Sequence, residues 1–144
     1  MEILNRKARH DYSVIDSFEA GIVLKGTEIK SIRAGKAILK DSYGIITNGE
    51  IVLLNMHISK YGKASQFNHE ETRSRKLLMH KAEIQKMSKK IKEEGYTLVP
   101  LKLYFKKGNA KILLGLCKGK KEYDKRETIK KRDMEREMQR KYKN

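Results

Sequence analysis

The side chains able to do chemistry are few, and they stand apart from one another. Histidines 10, 57, 69 and 80 are scattered along the chain, with none in an HExxH pattern or in a Cys/His metal-ligand spacing. Cys117 closes the apolar run ILLGLC, where a thiol is expected as core rather than as a nucleophile. Gly35-Lys36-Ala37 matches the end of a phosphate-binding loop, but the position five residues before Gly35 is Lys30, not glycine, so the pattern fails. Asp11, Glu28 and Asp41 are the carboxylates a metal-dependent nuclease would draw on. On so basic a chain, isolated carboxylates read first as local ion-pair partners. No catalytic residue, metal site or cofactor is expected.

What recurs is basic residues set among aromatic ones. RKARHDY places Arg6, Lys7 and Arg9 just before Tyr12; Lys30, Arg33 and Lys36 follow, and KYGK and RSRK bracket a polar stretch. Lys and Arg neutralise phosphates and release counterions, and an aromatic ring can stack on an unpaired base. The whole chain carries +16, with 34 basic and 18 acidic side chains. Solubility alone asks for a net charge of only ~2–8. A field of this size attracts polyanions, nucleic acid before anionic membrane. No apolar run approaches the roughly 20 residues that span a bilayer. The start MEILNRKARHDY lacks the apolar core of a secretory signal, and a single cysteine fits a reducing compartment. A cytoplasmic protein without a membrane segment is the expectation.

The elements that must position these residues are short strands and amphipathic helices. At 144 residues the chain is one domain's worth, dividing near Cys117 into a body, residues 1–117, and a tail, residues 118–144. YSVID and GIVL read as two strands separated by SFEAG. Thr27 is placed to cap a helix over TEIKSIRA, with Ile29 and Ile32 on one face and Gly35 as its stop. Asn48-Gly49 suits a type I′ hairpin turn, which needs φ > 0 at both residues. A second hairpin over YTLVPLKLYFKKGNAKILLGLC should turn near Gly108-Asn109, with Leu101, Leu103 and Phe105 alternating in one arm and Ile112, Leu114 and Leu116 in the other. Pro100 suggests an edge or an irregular start. Residues 59–75 read as a long polar loop without core residues. HKAEIQKMSKKIKEE reads as a helix with an Ile84, Met87, Ile91 stripe, stopped by Gly95. Six strands with two or three helices predict a small closed or nearly closed antiparallel barrel.

The tail holds twelve of the basic and six of the acidic side chains. Met134, Met138 and Tyr142 recur every four residues, and Glu127–Lys131, Asp133–Arg136 and Glu137–Lys141 are helix-spaced ion pairs worth roughly 0.2–0.5 kcal/mol each. That supports a helical tendency, not a stable isolated helix. The expectation is an arm that is loose alone and becomes helical along RNA.

The blocks HDYSVIDSFEAGIVLKGTEIKSIRAGKAILKDSY, NMHISKY, RKLLMHKAEI, GYTLVPLKLYFKKGNAKILLGL and KGKKEYDKRETIKKRD occur in that order. Together they resemble the SmpB family, the SsrA-binding proteins of bacteria, over nearly the whole chain. The resemblance implies an oligonucleotide-binding-type β-barrel with flanking helices. It implies a binding role: recognising the tRNA-like domain of transfer-messenger RNA and delivering it to stalled ribosomes in trans-translation. Elongation factor Tu would be met indirectly, through the charged RNA, and the protein would be a monomer. By the matching positions, Tyr12 and Glu19 would face the RNA, together with Leu78 and His80. Gly119, Lys120, Lys121, Tyr123, Asp124, Lys125 and Arg126 would lie at the decoding centre, followed by Lys130, Lys131 and Arg132 in the vacant mRNA channel. Tyr123 would stack on a base there. The chain departs from the family at NHEETRSRK, where relatives often carry Pro before the arginines and Glu71-Thr72 stand here. A permanent structural RNA-binding protein and the metal-dependent nuclease are the rival readings.

Overall fold

The Asn48-Gly49 signal is realised in the computed structural model of the protein, which describes residues 1–62, 68–120 and 135–136. Both turn residues have positive φ, 51° and 75°, so the chain reverses in two residues and sets the register Thr47↔Glu50 through Tyr43↔Leu54. In chain order the strands are β1 (Glu2–Leu4), β2 (Tyr12–Ile22), β3 (Ala37–Ile38), β4 (Tyr43–Thr47), β5 (Glu50–Leu54), β6 (His57–Ile58), β7 (Arg75–Leu78), β8 (Thr97–Lys106) and β9 (Asn109–Gly119). The helices are α1 (Arg6–Asp11), α2 (Gly26–Arg33) and α3 (Lys81–Glu94). Strands run antiparallel in the order β1-β8-β4-β5-β7-β2-β9, and β9 pairs back onto β8. Six strands thus form a closed ring, with β1 added beside β8 and β3–β6 as a separate pair.

The ring has the expected number of strands with a different membership. YSVID and GIVL are not two strands but one, β2, eleven residues long. Its register shifts between Val14 and Asp16, so a bulge at Ile15 bends the strand inside YSVID, while SFEAG, where a break was expected, pairs regularly with β9. The sixth member is β7, inside a stretch whose charge hid it. The interior is filled by Ala20, Ile22, Ile51, Leu53, Leu77, Leu98, Leu103, Ile112, Leu114 and Leu116, joined by Ile32 of α2 and by Ile84 and Met87 of α3. Helix α3 ends as expected, at Gly95 in the left-handed conformation (φ 70°).

Pro100 is neither at an edge nor at a strand start. It lies inside β8, where the register against β9 shifts between Pro100 and Lys102; a residue without an N–H is tolerated where the ladder is already broken. The bulge also splits the expected alternation. Leu103 points into the main core, while Leu101 joins Val99, Cys117 and Ala8 in a second cluster on the other side of the sheet. Cys117 is buried there, as its apolar setting implied. The second hairpin turns at Lys107-Gly108, one residue earlier than expected, with φ 52° and 81° and Lys106↔Asn109 as the closing pair.

Two further expectations fail for reasons of side-chain partnership. Thr27 does not cap α2; the helix starts at Gly26, and Lys25 N–H donates to the Glu28 carboxylate at 2.8 Å. The Thr27 hydroxyl instead meets His69 Nδ1 at 2.9 Å, with His69 Nε2 2.9 Å from the Ile58 carbonyl. The carbonyl can only accept, so Nε2 donates and Nδ1 accepts from Thr27. The polar stretch over 59–75 is therefore not devoid of core residues: His69 and Arg75 are buried, each through hydrogen bonds rather than apolar contact.

Candidate RNA-binding surface

Helix α1 is short, and a buried asparagine places it. Asn5 Oδ1 accepts from Ala8 N–H at 3.2 Å, while its Nδ2 donates to the Pro100 carbonyl at 2.8 Å and to the Leu39 carbonyl at 3.3 Å. Its backbone N–H donates to the Leu101 carbonyl at 2.9 Å. The same residue thus caps α1 and ties it to the β8 bulge. Arg6, Lys7 and Arg9 project outward, exposed, with Lys7 beside Asp41 at 3.0 Å. Tyr12 is half-buried on the cluster of Ala8, Val99, Leu101 and Cys117. Gly119 pairs with Tyr12. Lys120 N–H donates to the Asp11 carbonyl at 3.0 Å and its Nζ to the Arg9 carbonyl at 3.3 Å. Arg9, Tyr12, Gly119 and Lys120 therefore converge where the tail leaves the body.

Helix α2 carries the second group. Lys30 Nζ stands 5.5 Å from the centre of the Tyr61 ring, and the Arg33 guanidinium 4.5 Å from that of Phe105. Lys36 is exposed just beyond the helix. The inner side of α2 is anchored by charge: Glu28 accepts from Arg75 Nε at 2.6 Å and from both Nε and Nη2 of Arg73. Burial opposes the Glu28 charge, yet the two guanidiniums and the Lys25 N–H outweigh it and hold the carboxyl below its ordinary range. Arg75 also donates to the Met56 and Glu71 carbonyls, so its buried guanidinium is satisfied from several sides.

A third group lies on the outer face of the ring. Glu19 accepts from the Tyr104 hydroxyl at 2.5 Å and from Lys106 Nζ at 3.4 Å. The Tyr104 bond, aided by Lys106 and the charge of Lys111, keeps Glu19 ionised below the usual carboxylate range. Burial, then that same carboxylate, pushes the Tyr104 hydroxyl up to about 12. Gly21 shares a face with Glu19 two residues along the strand and pairs with Leu78 on β7. A Cβ at Gly21 would stand 3.3 Å from that of Leu78. Leu78 is 53% exposed despite its apolar side chain, and His80 follows, exposed, at the N-cap of α3. An acid and an exposed apolar residue thus share one face of the sheet, and an exposed imidazole follows two residues along the chain.

The fold holds the sequence-expected residues at these three stations. It adds some that sequence reasoning missed: Tyr104 and Lys111, which are paired across β8 and β9, and Lys106. Lys102, whose Nζ lies 5.0 Å from the Tyr104 ring centre, completes this basic and aromatic rim. Their signal lies in the hairpin's non-core positions, which strand alternation turns outward without giving them a partner. Lys121, Tyr123, Asp124, Lys125, Arg126, Lys130, Lys131 and Arg132 lie outside the described residues. The carboxylates set aside for a nuclease are occupied separately: Asp11 with His10, Asp41 with Lys7 and Glu28 with the arginines. Among the described residues no three His, Cys, Asp or Glu side chains come together as a metal site.

The chain is similar to known proteins along nearly its whole length. SsrA-binding proteins of Halalkalibacterium halodurans and Staphylococcus aureus are 57% and 58% identical to the chain over 136 and 142 residues. These alignments cover 94% and 96% of the chain, and 88% and 92% of the two relatives. A structure described as "tmRNA-SmpB: a journey to the center of the bacterial ribosome" matches with a TM-score of 0.72 and 50% identity, over 86% of this chain and 87% of that one. The SmpB protein family profile matches residues 2–144, and the chain belongs to the SmpB family.

Proposed function

We propose that this protein binds the tRNA-like domain of transfer-messenger RNA and delivers it to stalled ribosomes for peptide tagging and ribosome rescue. The observation that carries this reading is the outer face on which Glu19, held by Tyr104 and Lys106, stands on the same side of the sheet as exposed Leu78, with His80 exposed two residues further along. An ionised carboxylate and an imidazole can pair with base edges or sugar hydroxyls. An exposed leucine offers apolar contact to an unstacked base, and the lysines around them neutralise phosphate. The stations on α1 and α2 supply Arg6, Lys7, Arg9, Tyr12, Lys30, Arg33 and Lys36 to the same RNA. The names of the relatives and the ribosomal setting of the structural neighbour support the assignment.

The body is the RNA-binding unit and residues 118–144 are a separate functional segment. Gly119 and Lys120 start the tail beside α1, and Lys121, Tyr123, Asp124, Lys125 and Arg126 reach the decoding centre. Lys130, Lys131 and Arg132 continue along the empty mRNA channel. The protein acts as a cytoplasmic monomer that performs no catalysis and meets elongation factor Tu only through the charged RNA. No helix among the described residues is long and apolar enough to cross a membrane.

Binding of the purified protein to transfer-messenger RNA, bulk tRNA and duplex DNA tests the reading. A clear preference for the first, kept at physiological salt, is expected; equal affinity for all three would refute it.

A further inference from the structure

The small pair β3–β6 stands apart from the ring, and its two faces differ. Ala37 and Ile58, paired across the strands, belong to the main core. The other cross-strand pair, Ile38↔His57, is turned to the opposite face. Burial alternates beyond the strand itself: Ala37 and Leu39 are buried, while Lys36, Ile38 and Lys40 are exposed. Ile38 is 55% exposed, an apolar side chain set between two lysines. The imidazole across from it is held in place. His57 Nε2 lies 2.6 Å from Glu71 Oε2, and a carboxylate only accepts, so Nε2 carries the proton.

The row continues toward both basic helices. Ser59 N–H donates to the Lys36 carbonyl at 3.0 Å, so the chain after β6 runs beside Lys36 toward α2. There Tyr61 is 43% exposed, with Lys30 Nζ over its ring. Asn68 fixes the Tyr61 backbone, accepting from its N–H at 3.2 Å and donating to its carbonyl at 3.0 Å. At the other end Lys40 adjoins Asp41, which pairs with Lys7 of α1. The carboxylates along this row are engaged, Asp41 by Lys7 and Glu71 by His57. Lys36 and Lys40 have no ion pair among the described residues, so the row presents uncompensated positive charge.

Apolar and flat side chains spaced between cations match a nucleic-acid strand whose bases are unstacked. The lysines neutralise its phosphates, and a free base face covers aliphatic, imidazole or phenol surface. A duplex offers the same phosphates but keeps its base faces stacked on one another. We propose that the outer face of β3–β6 is a platform for single-stranded RNA. Ile38 and His57 receive one unpaired base and Tyr61 another, between phosphates held by Lys36 and Lys40. The proposal rests on the RNA-binding reading above, and it joins the groups on α1 and α2 into one track.

The full chain is tested with generic RNA, so failure here is separate from a lost preference for transfer-messenger RNA. A short unstructured RNA and an RNA duplex of equal length are titrated into isotope-labelled protein. The Ile38 methyls and the His57 and Tyr61 rings should shift with the single strand and far less with the duplex. Ile38→Ser should lower single-strand affinity by a factor of roughly 3–10, the worth of covering part of one apolar side chain, at an unchanged salt dependence. Lys40→Gln should instead reduce the slope of log affinity against log salt by about 0.7, one phosphate contact on a single strand. Resonances of these three residues that ignore the single strand, or that move equally with the duplex, would overturn the proposal. So would shifts that follow protein concentration alone, which would mark a contact between copies of the chain.

Discussion

Arg75 Nε donates to the Glu28 carboxylate at 2.6 Å, and both side chains are wholly excluded from solvent. Two charges in such a place are opposed by desolvation, and neither is tolerable without the other. Their pairing joins α2 to β7, and through the Met56 and Glu71 carbonyls to the segments on either side of β6. The basic face of α2 is therefore set from beneath. Glu28→Ala should cost about 3–5 kcal/mol, because it strands a buried guanidinium. Urea unfolding monitored by far-UV circular dichroism measures it, and a loss within the range of ordinary surface substitutions would show the pair to be dispensable.

Acid should weaken the same contact. The folded-state pKa of Glu28 lies below its ordinary value, so the unfolded chain takes up the proton first as pH falls. The stabilisation is complete above the ordinary carboxylate range and is lost as pH falls through the folded value. Unfolding midpoints taken between neutral and strongly acidic pH should therefore fall for the native chain. They should fall less steeply for Glu28→Gln, which cannot titrate at that position.

Tyr104 should act through Glu19. Tyr104→Phe removes the donor that most lowers the Glu19 pKa, so the carboxyl should titrate higher, read from its side-chain carbon resonance. The site is on the surface, so thermal stability should barely change. RNA affinity should drop by a factor of roughly 5–10, the worth of about one ordinary net hydrogen bond. An unmoved Glu19 titration would separate the two residues functionally.

Asn5 bears on both α1 and the β8 bulge. Asn5→Ala leaves Ala8 N–H uncapped and the Pro100 and Leu39 carbonyls without this donor. A loss of about 1–3 kcal/mol is expected. Amide exchange should quicken in α1 before it does in the ring.

Gly115 is a packing requirement rather than a turn residue. A Cβ there would stand 2.9 Å from Leu101 Cδ1 and 3.0 Å from the Cys117 sulfur. Gly115→Ala should cost roughly 1–3 kcal/mol through overpacking. Combining it with Leu101→Ala should recover part of that loss, as a double-mutant cycle would reveal.

Much of the architecture was legible along the chain because it is encoded by neighbours. Asn48-Gly49 specifies a turn within two residues, and Gly95 stops a helix whose stripe of Ile84, Met87 and Ile91 is written at helical spacing. The charge, the basic clusters and the family blocks are likewise properties of the sequence alone. β7 was not legible, because Arg75 reads as solvent-seeking until Glu28, forty-seven positions away, is brought against it. The bulges at Ile15 and at Pro100–Lys102 were missed for a related reason: strand alternation is local, whereas register depends on the partner strand.

The same division applies to the functional surface. Residue type alone nominated Arg6, Arg9, Lys30 and Arg33, since phosphate selects for those groups, and the family resemblance nominated Glu19. Only the closed ring put Tyr104 and Lys106 against Glu19 and set Leu78 over Gly21. Local propensity and charge are carried by each residue and its neighbours. Burial, pairing and the choice of sheet face arise only when distant segments exclude water together, and the tertiary structure alone decided those.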